Sequence, residues 1–402
     1  MSVEGWREVK LGEVCEINAN SYSQKDNWSF INYLDTGNIT ENNIDIIQYL
    51  DTNVDKIPSR AKRKVLKNDI LFSTVRPNQK HYGIIKKPFE NMLASTGFAV
   101  INGKKNELEN MFLFYFLTQQ HIVDSLHTIG EHSTSAYPAI KPSDIECLNF
   151  SLPPLPEQKA IAATLSCLDD KIELNNRLNK NLEEMAQAIF KSWFVDFEPF
   201  QDGEFEESEL GMIPKGWRVV ELGDIATFIK GKKPKALEMK PCDAVATPYL
   251  TIDVLNGGLP QYAESEKMVL AEKLDILMVM DGASSGTVYY GLDGIVASTL
   301  AKYKVGNEEL SEIVYQYLKF YEDDIKRHNT GSAIPHTDKG FVSKIKVLIP
   351  DDESKKTVTE IFKRIRCLVL ENRYQCQKLK ESRDTLLPKL MSGEVRVPLE
   401  EV

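Results

Sequence analysis

The sequence predicts an α+β protein in which two globular domains are joined by two long antiparallel coiled-coil helices, with an internal pseudo-twofold repeat. Three observations carry this. The 402-residue chain is written twice, two long stretches lack proline and glycine, and both stretches carry a heptad seam. The length suits two or three units, and 42% hydrophobic with 27% charged residues fits a folded globular protein.

The repeat is read first. Trp6-Arg7-Glu8-Val9-Lys10-Leu11-Gly12-Glu13-Val14 is echoed by Trp217-Arg218-Val219-Val220-Glu221-Leu222-Gly223-Asp224-Ile225. Further matches follow in the same order: Tyr33-Leu34 with Tyr249-Leu250, Asp69-Ile70-Leu71 with Asp275-Ile276-Leu277, and Ala94-Ser95-Thr96 with Ala297-Ser298-Thr299. Ser135-Ala136 and Pro138 then match Ser332-Ala333 and Pro335, and Leu152-Pro153 matches Ile349-Pro350. The offset drifts as loop insertions would make it drift. The expected boundaries are a first domain over 1–152, a central helix over 153–198, an acidic connector over 199–213, a second domain over 214–350, and a C-terminal helix and tail over 351–402.

In the first helical stretch, Ile161, Leu165, Leu168, Ile172, Leu182, Ala186, Ile189 and Trp193 alternate at four and three, with Asn175 and Asn179 in the gap. The second carries Val358, Phe362, Ile365, Val369, Cys376, Leu379, Leu386 and Leu390, with Asn372 and Arg383 in the remaining seam positions. This is a coiled-coil seam, and at 1.5 Å per residue each helix is roughly 50–58 Å long. Neither helix can bury its stripe alone, so the two should pack together, antiparallel about a pseudo-twofold axis. Asn175 and Asn372 are equivalent in the repeat, so the axis is expected to bring them face to face and pin the register; the alternative is two solvent-facing asparagines.

Charge is uneven. The net charge of −10 by itself argues against nucleic-acid binding. Yet ten Lys and Arg residues crowd Lys56–Lys87 against one acid, Asp69, while seven acids and no base fill Asp196–Glu209. Local potential decides where phosphate docks. The six cysteines form no C-x-x-C pair and read as reduced structural thiols in a cytoplasmic protein. Met1–Lys10 lacks a signal-peptide core, and no stretch reaches the ~20 apolar residues that span a bilayer.

Catalytic signatures are missing. There is no G-x-x-x-x-G-K-[ST], no G-x-G-x-x-G and no Asn-Pro-Pro-aromatic segment. The run Pro350-Asp351-Asp352-Glu353-Ser354-Lys355 reads as a helix start and not as a nuclease motif. The six histidines lack metal-ligand spacing, so no metal site is expected.

Other segments carry a resemblance. Leu152-Pro153-Pro154-Leu155-Pro156-Glu157-Gln158-Lys159-Ala160-Ile161 resembles the junction of recognition domain and spacer helix in type I restriction–modification specificity subunits. The run from Leu182 to Phe197 (LEEMAQAIFKSWFVDF) is similar to the end of that family's central spacer. Leu210-Gly211-Met212-Ile213-Pro214-Lys215-Gly216-Trp217 is similar to the start of its second recognition domain, and Asp69–Pro77 is typical of its first. The resemblance spans nearly the whole chain and is weakest over Lys230–Tyr290. It implies two target recognition domains, each reading one half of a split, asymmetric site on double-stranded DNA, with the helices as spacer. It implies two methyltransferase (modification) subunits and restriction subunits as partners, with S-adenosylmethionine, ATP and Mg²⁺ held by those partners and no cofactor in this chain. The chain itself would not be an enzyme. Competing readings are a helical scaffold that assembles protein partners without reading DNA, and a self-contained enzyme.

The expected DNA contacts follow from residue chemistry. Arg60, Lys62, Arg63 and Lys64 suit phosphates. Arg76, Asn78, Gln79, Lys80, His81 and Tyr82 suit base edges, since Arg pairs with guanine and Asn or Gln with adenine; the alternative is a solvated basic face. In the second half, Lys230, Lys232, Lys233 and Lys235 flank Gly231 and suit phosphate. The loop Asp281-Gly282-Ala283-Ser284-Ser285-Gly286 occupies the position of Arg76–Tyr82, with Ser284 and Ser285 as candidates, or is an ordinary turn. His132–Tyr137 and Thr330–His336 are further candidates.

Overall fold

The computed structural model describes residues 4–133, 137–242, 245–331 and 334–398, with Gln24 described by its backbone only. The repeat matches at Ser135-Ala136 and Ser332-Ala333 lie outside the described residues. The chain divides into two units, 1–171 with 379–402, and 172–378.

The first unit holds one globular α+β domain. Its opening strand, Arg7–Lys10, pairs antiparallel with its closing strand, Asn149–Leu152. Between them lie two four-stranded sheets. In one, Phe30–Leu34 is flanked by Gln48–Asp51 and, in parallel, by Met92–Ser95, whose other edge carries Ala61–Lys64. In the other, the order is Cys15–Ile17, Phe98–Gly103, Ile70–Ser73, Tyr82–Ile84. Ile70–Ser73 is buried throughout because both its faces are covered.

The second unit repeats this strand for strand. Arg218–Glu221 pairs with Lys346–Ile349. One sheet runs Gln261–Ala263, Thr247–Leu250, Gly294–Val296, Leu270–Ala271, again with its central pair parallel. The other runs Ala226–Lys230, Leu300–Val305, Ile276–Val279, Val288–Tyr290. The recurring Leu-Gly pair has a steric cause. A Cβ on Gly12 would lie 3.0 Å from Glu146 Cβ, and one on Gly223 would lie 3.0 Å from Ser343 Cβ. The recurring tryptophan donates its indole N–H to a carboxylate at the start of a long helix, Trp6 to Glu157 at 3.0 Å and Trp217 to Asp351 at 3.2 Å.

The connector is folded: Phe205–Ser208, inside the acidic run, forms a hairpin with Gly211–Pro214 just beyond it. The long helices are Leu155–Phe194 and Asp352–Met391. Within each unit their segments pair antiparallel. In the first unit Arg383 meets Asp169 at 2.7 Å, and Leu390 and Met391 share a core with Ile161 and Leu165. In the second unit the predicted seam residues Ile172, Asn175, Val358, Phe362, Ile365 and Val369 are buried, while Leu182 and Ile189 are half-buried; Leu168, Leu379 and Leu386 are half-buried in the first.

The expected Asn175–Asn372 pair is corrected. Asn372 donates to Asn179 at 2.9 Å, and Asn175 donates to Gln375 at 3.3 Å. Asn175 and Asn372 therefore stand about one turn apart along the helix pair instead of meeting. Asn179 also donates to the Val369 carbonyl at 3.2 Å, so the seam is polar at this level.

Candidate nucleic-acid interface

In the first domain, four segments converge where Ile70–Ser73 ends. Thr74 N donates to Gly97 O at 2.8 Å, Arg76 N to Pro138 O at 2.8 Å, Ile140 N to Thr74 O at 2.8 Å, and Thr96 N to Arg60 O at 2.8 Å. The second domain builds the same junction: Met280 N to Thr299 O at 2.8 Å, Gly282 N to Pro335 O at 2.9 Å, and Thr337 N to Met280 O at 2.9 Å. The bridge Val75–Ala139 in one corresponds to Asp281–His336 in the other. Loops far apart in sequence are thus fastened by backbone hydrogen bonds, leaving side chains to vary.

At the first junction Arg76 sits in the left-handed region, at φ 47°, and opens the short turn Pro77–Gln79. Its guanidinium lies 4.8 Å above the exposed Tyr137 ring, a cation–π contact that orients a planar donor. Asn78 and Gln79 are exposed on that turn, and Arg60 and Lys62 are exposed nearby. Of the stretch His132–Tyr137, residues 134–136 lie outside the described residues.

Several expected contacts are corrected. Tyr82 is 7% exposed and stacks on Phe72 at 5.8 Å, so it belongs to the core, where burial raises its phenol well above the usual value. Lys64 is paired with Asp26 at 2.5 Å, and its ammonium also lies 5.4 Å from the Trp28 ring. Lys80 is paired with Glu41 at 2.9 Å, and His81 Nδ1 lies 2.7 Å from Ile39 O. Arg63 is half-buried. Alternation along the edge strand, together with local acids, turns these groups to structural use.

At the second junction Asp281 accepts from His336 Nδ1 at 2.7 Å and from Lys230 Nζ at 3.0 Å. Burial disfavours its charge, but these two donors outweigh that and hold the carboxyl below its ordinary value. Gly231 is required: a Cβ there would lie 2.2 Å from Ala297 O. Lys232 reaches the Lys267 carbonyl at 3.5 Å, and Lys233 and Lys235 are exposed. Ser285 is corrected; it is fully buried, with Oγ 2.7 Å from Gly282 O and 2.8 Å from Pro335 O. Ser284 is half-buried. Asp281 and His336 lay inside the stretches singled out in the sequence but were not chosen. The signal for them was the repeat itself, which sets them opposite Val75 and Ala139.

Among the described residues no cluster of three or more His, Cys, Asp or Glu side chains could hold a metal, and no helix is long and apolar enough to cross a membrane.

The fold is duplicated, and its loop junctions stand at equivalent places with different side chains, which is the architecture of a two-domain repeat protein. The chain belongs to the type I restriction modification DNA specificity family, whose domain pattern matches residues 3–184 and again 214–375. It is thus a DNA-recognition subunit and not itself a catalyst. It is 24% identical to the type I restriction enzyme HindI specificity subunit of Haemophilus influenzae, covering 97% of this chain and 99% of that protein. It is 25% identical to a putative type I restriction enzyme MjaX specificity subunit of Methanocaldococcus jannaschii, covering 98% and 94%. The crystal structure of a type I restriction-modification S subunit from M. genitalium shares the fold, with a TM-score of 0.57 at 20% identity over 96% of both chains.

Proposed function

We propose that this subunit reads a bipartite, asymmetric site on double-stranded DNA, one half with each recognition domain, and positions two methyltransferase subunits and restriction subunits on it. One observation carries the asymmetry: the same backbone junction presents Arg76 over Tyr137 in one domain and Asp281 with His336 in the other. Donors read guanine and acceptors read amino groups, so two unlike junctions select unlike bases. S-adenosylmethionine, ATP and Mg²⁺ belong to the partner subunits, and the work takes place in the cytoplasm. A target base must leave the duplex to be methylated, and in this reading it enters the partner while this chain holds the flanking bases.

The test is to assemble the chain with its modification subunits and map the methylated sites genome-wide. Two dissimilar half-sites at fixed separation are expected, with DNA retention that falls steeply as salt rises. A palindromic motif, or retention without sequence preference, would overturn the reading.

A further inference from the structure

The Asp281–Lys230–His336 cluster has no counterpart in the first domain. Counting from the shared Leu-Gly pairs, Lys230 stands where the first domain has Ala19. The paired bridges set Asp281 opposite Val75, and His336 opposite Ala139. An apolar trio is therefore replaced by an acid and two basic side chains at one place in a duplicated fold.

The cluster is not needed to hold the junction. The first domain fastens the same loops with Arg76 N to Pro138 O and Ile140 N to Thr74 O, both at 2.8 Å, around Val75. The second has the matching pair, Gly282 N to Pro335 O and Thr337 N to Met280 O, both at 2.9 Å. A carboxylate added to an already closed junction calls for another reason, because on a phosphate-facing surface an uncompensated acid repels the ligand.

Resting on the reading that this surface meets DNA, we infer that Asp281 is a specificity-determining acceptor that reads the exocyclic amino group of a cytosine in the major groove. Its side chain is 25% exposed, and those of Lys230 and His336 are each 50% exposed, so the group lies at the surface without being freely mobile. A carboxylate offers about four acceptor positions. His336 and Lys230 occupy one on each oxygen and fix the carboxylate plane, which leaves acceptor capacity for a base. Cytosine presents a donor there, whereas guanine presents two acceptors and is rejected. Adenine sets an acceptor beside its amino donor, which repels the second oxygen. Lys230 and His336 act as positioning residues, and Lys230 supplies a positive charge that lets an acid sit beside phosphates.

The experiment uses the full chain assembled with its modification subunits and carrying Asp281→Val, the residue type of the first domain, or Asp281→Asn. Methylated motifs are mapped for each complex, with thermal unfolding measured alongside. For Asp281→Val, one position in one half-site is expected to lose its cytosine preference by about 10- to 100-fold, while the other half-site and the melting temperature stay as they were. Asp281→Asn, which keeps the side-chain shape but gains a donor, is expected to admit adenine at that position. An unchanged motif in a folded Asp281→Val complex overturns the inference. If that variant does not fold, strict retention of cytosine by Asp281→Asn overturns it instead. Absence of any sequence-selective motif in the unaltered complex would defeat the prior reading of DNA recognition, a result distinguishable from either.

Discussion

Arg76 shows how a single residue is prepared for reading. A non-glycine residue at positive φ is uncommon, and here both Arg76 at φ 47° and Lys80 at φ 57° bracket the turn Pro77–Gln79. The turn holds the arginine head over Tyr137. Arg76→Ala is expected to relax one guanine position in one half-site, a loss of about 1–3 kcal/mol of discrimination, measured by competition between matched and mismatched duplexes. Lys62→Gln, by contrast, removes an exposed charge from the edge strand. It should weaken all sequences alike and lower the salt slope by about one. Tyr82→Phe should leave the motif unchanged, because that ring is buried against Phe72; a changed motif in the methylation map would return Tyr82 to the interface.

At the scale of elements, the heptad pattern was legible and its ends were not. Phe190 and Phe194 are buried, yet neither fits the seam, since Phe190 packs on Tyr317 at 4.7 Å and Phe194 on Trp217 at 5.4 Å. A heptad template presumes another helix as partner, and here the recognition domain covers the last turns. Arg366 was invisible for the same reason. It is 1% exposed and pairs at 2.6 Å with Glu312, which is 2% exposed, and it lies 4.4 Å from the Tyr290 ring. It also donates to Lys273 O at 2.8 Å. Burial raises the Glu312 carboxyl, and Arg366 offsets part of that. Such a pair fixes geometry more than it adds stability. Glu312→Gln, which leaves Arg366 charged and buried, should cost about 3–5 kcal/mol in denaturant unfolding, while Glu312→Leu combined with Arg366→Met should be neutral or stabilising by about 1–4 kcal/mol. The strand order was likewise legible only as a class, because short irregular strands give weak periodicity. The repeat nevertheless located both junctions, since the matches of Ala94-Ser95-Thr96 with Ala297-Ser298-Thr299 and of Pro138 with Pro335 fall at the loops that meet there. The Asp281–His336 contact was not legible, because its members lie 55 residues apart and only the fold unites them.

For the molecule as a whole, duplication makes modular exchange the decisive question. The first domain is anchored to its own helix segments by side chains on both sides. Tyr115 donates to Asp169 at 2.6 Å, Lys86 pairs with Asp170 at 2.6 Å, and Trp6 donates to Glu157, which also receives Arg396 at 2.5 Å. Glu157 is 2% exposed, so its carboxyl oxygens take their hydrogen bonds from those protein donors and not from water. A domain transplanted over residues 1–152 must therefore bring an indole at position 6 and a hydroxyl at position 115, or the helix carboxylates are left short of partners. A chimera that keeps both is expected to change one half-site and leave the other as before, because the second domain has its own core and its own junction. The same chimera with Trp6→Phe should unfold earlier, by about 1–3 kcal/mol for a buried group stripped of a donor, with its motif unaltered. Methylation mapping and thermal unfolding of the two chimeras separate anchoring from reading. If exchange of the first domain alters bases in both half-sites, the two domains do not read independently.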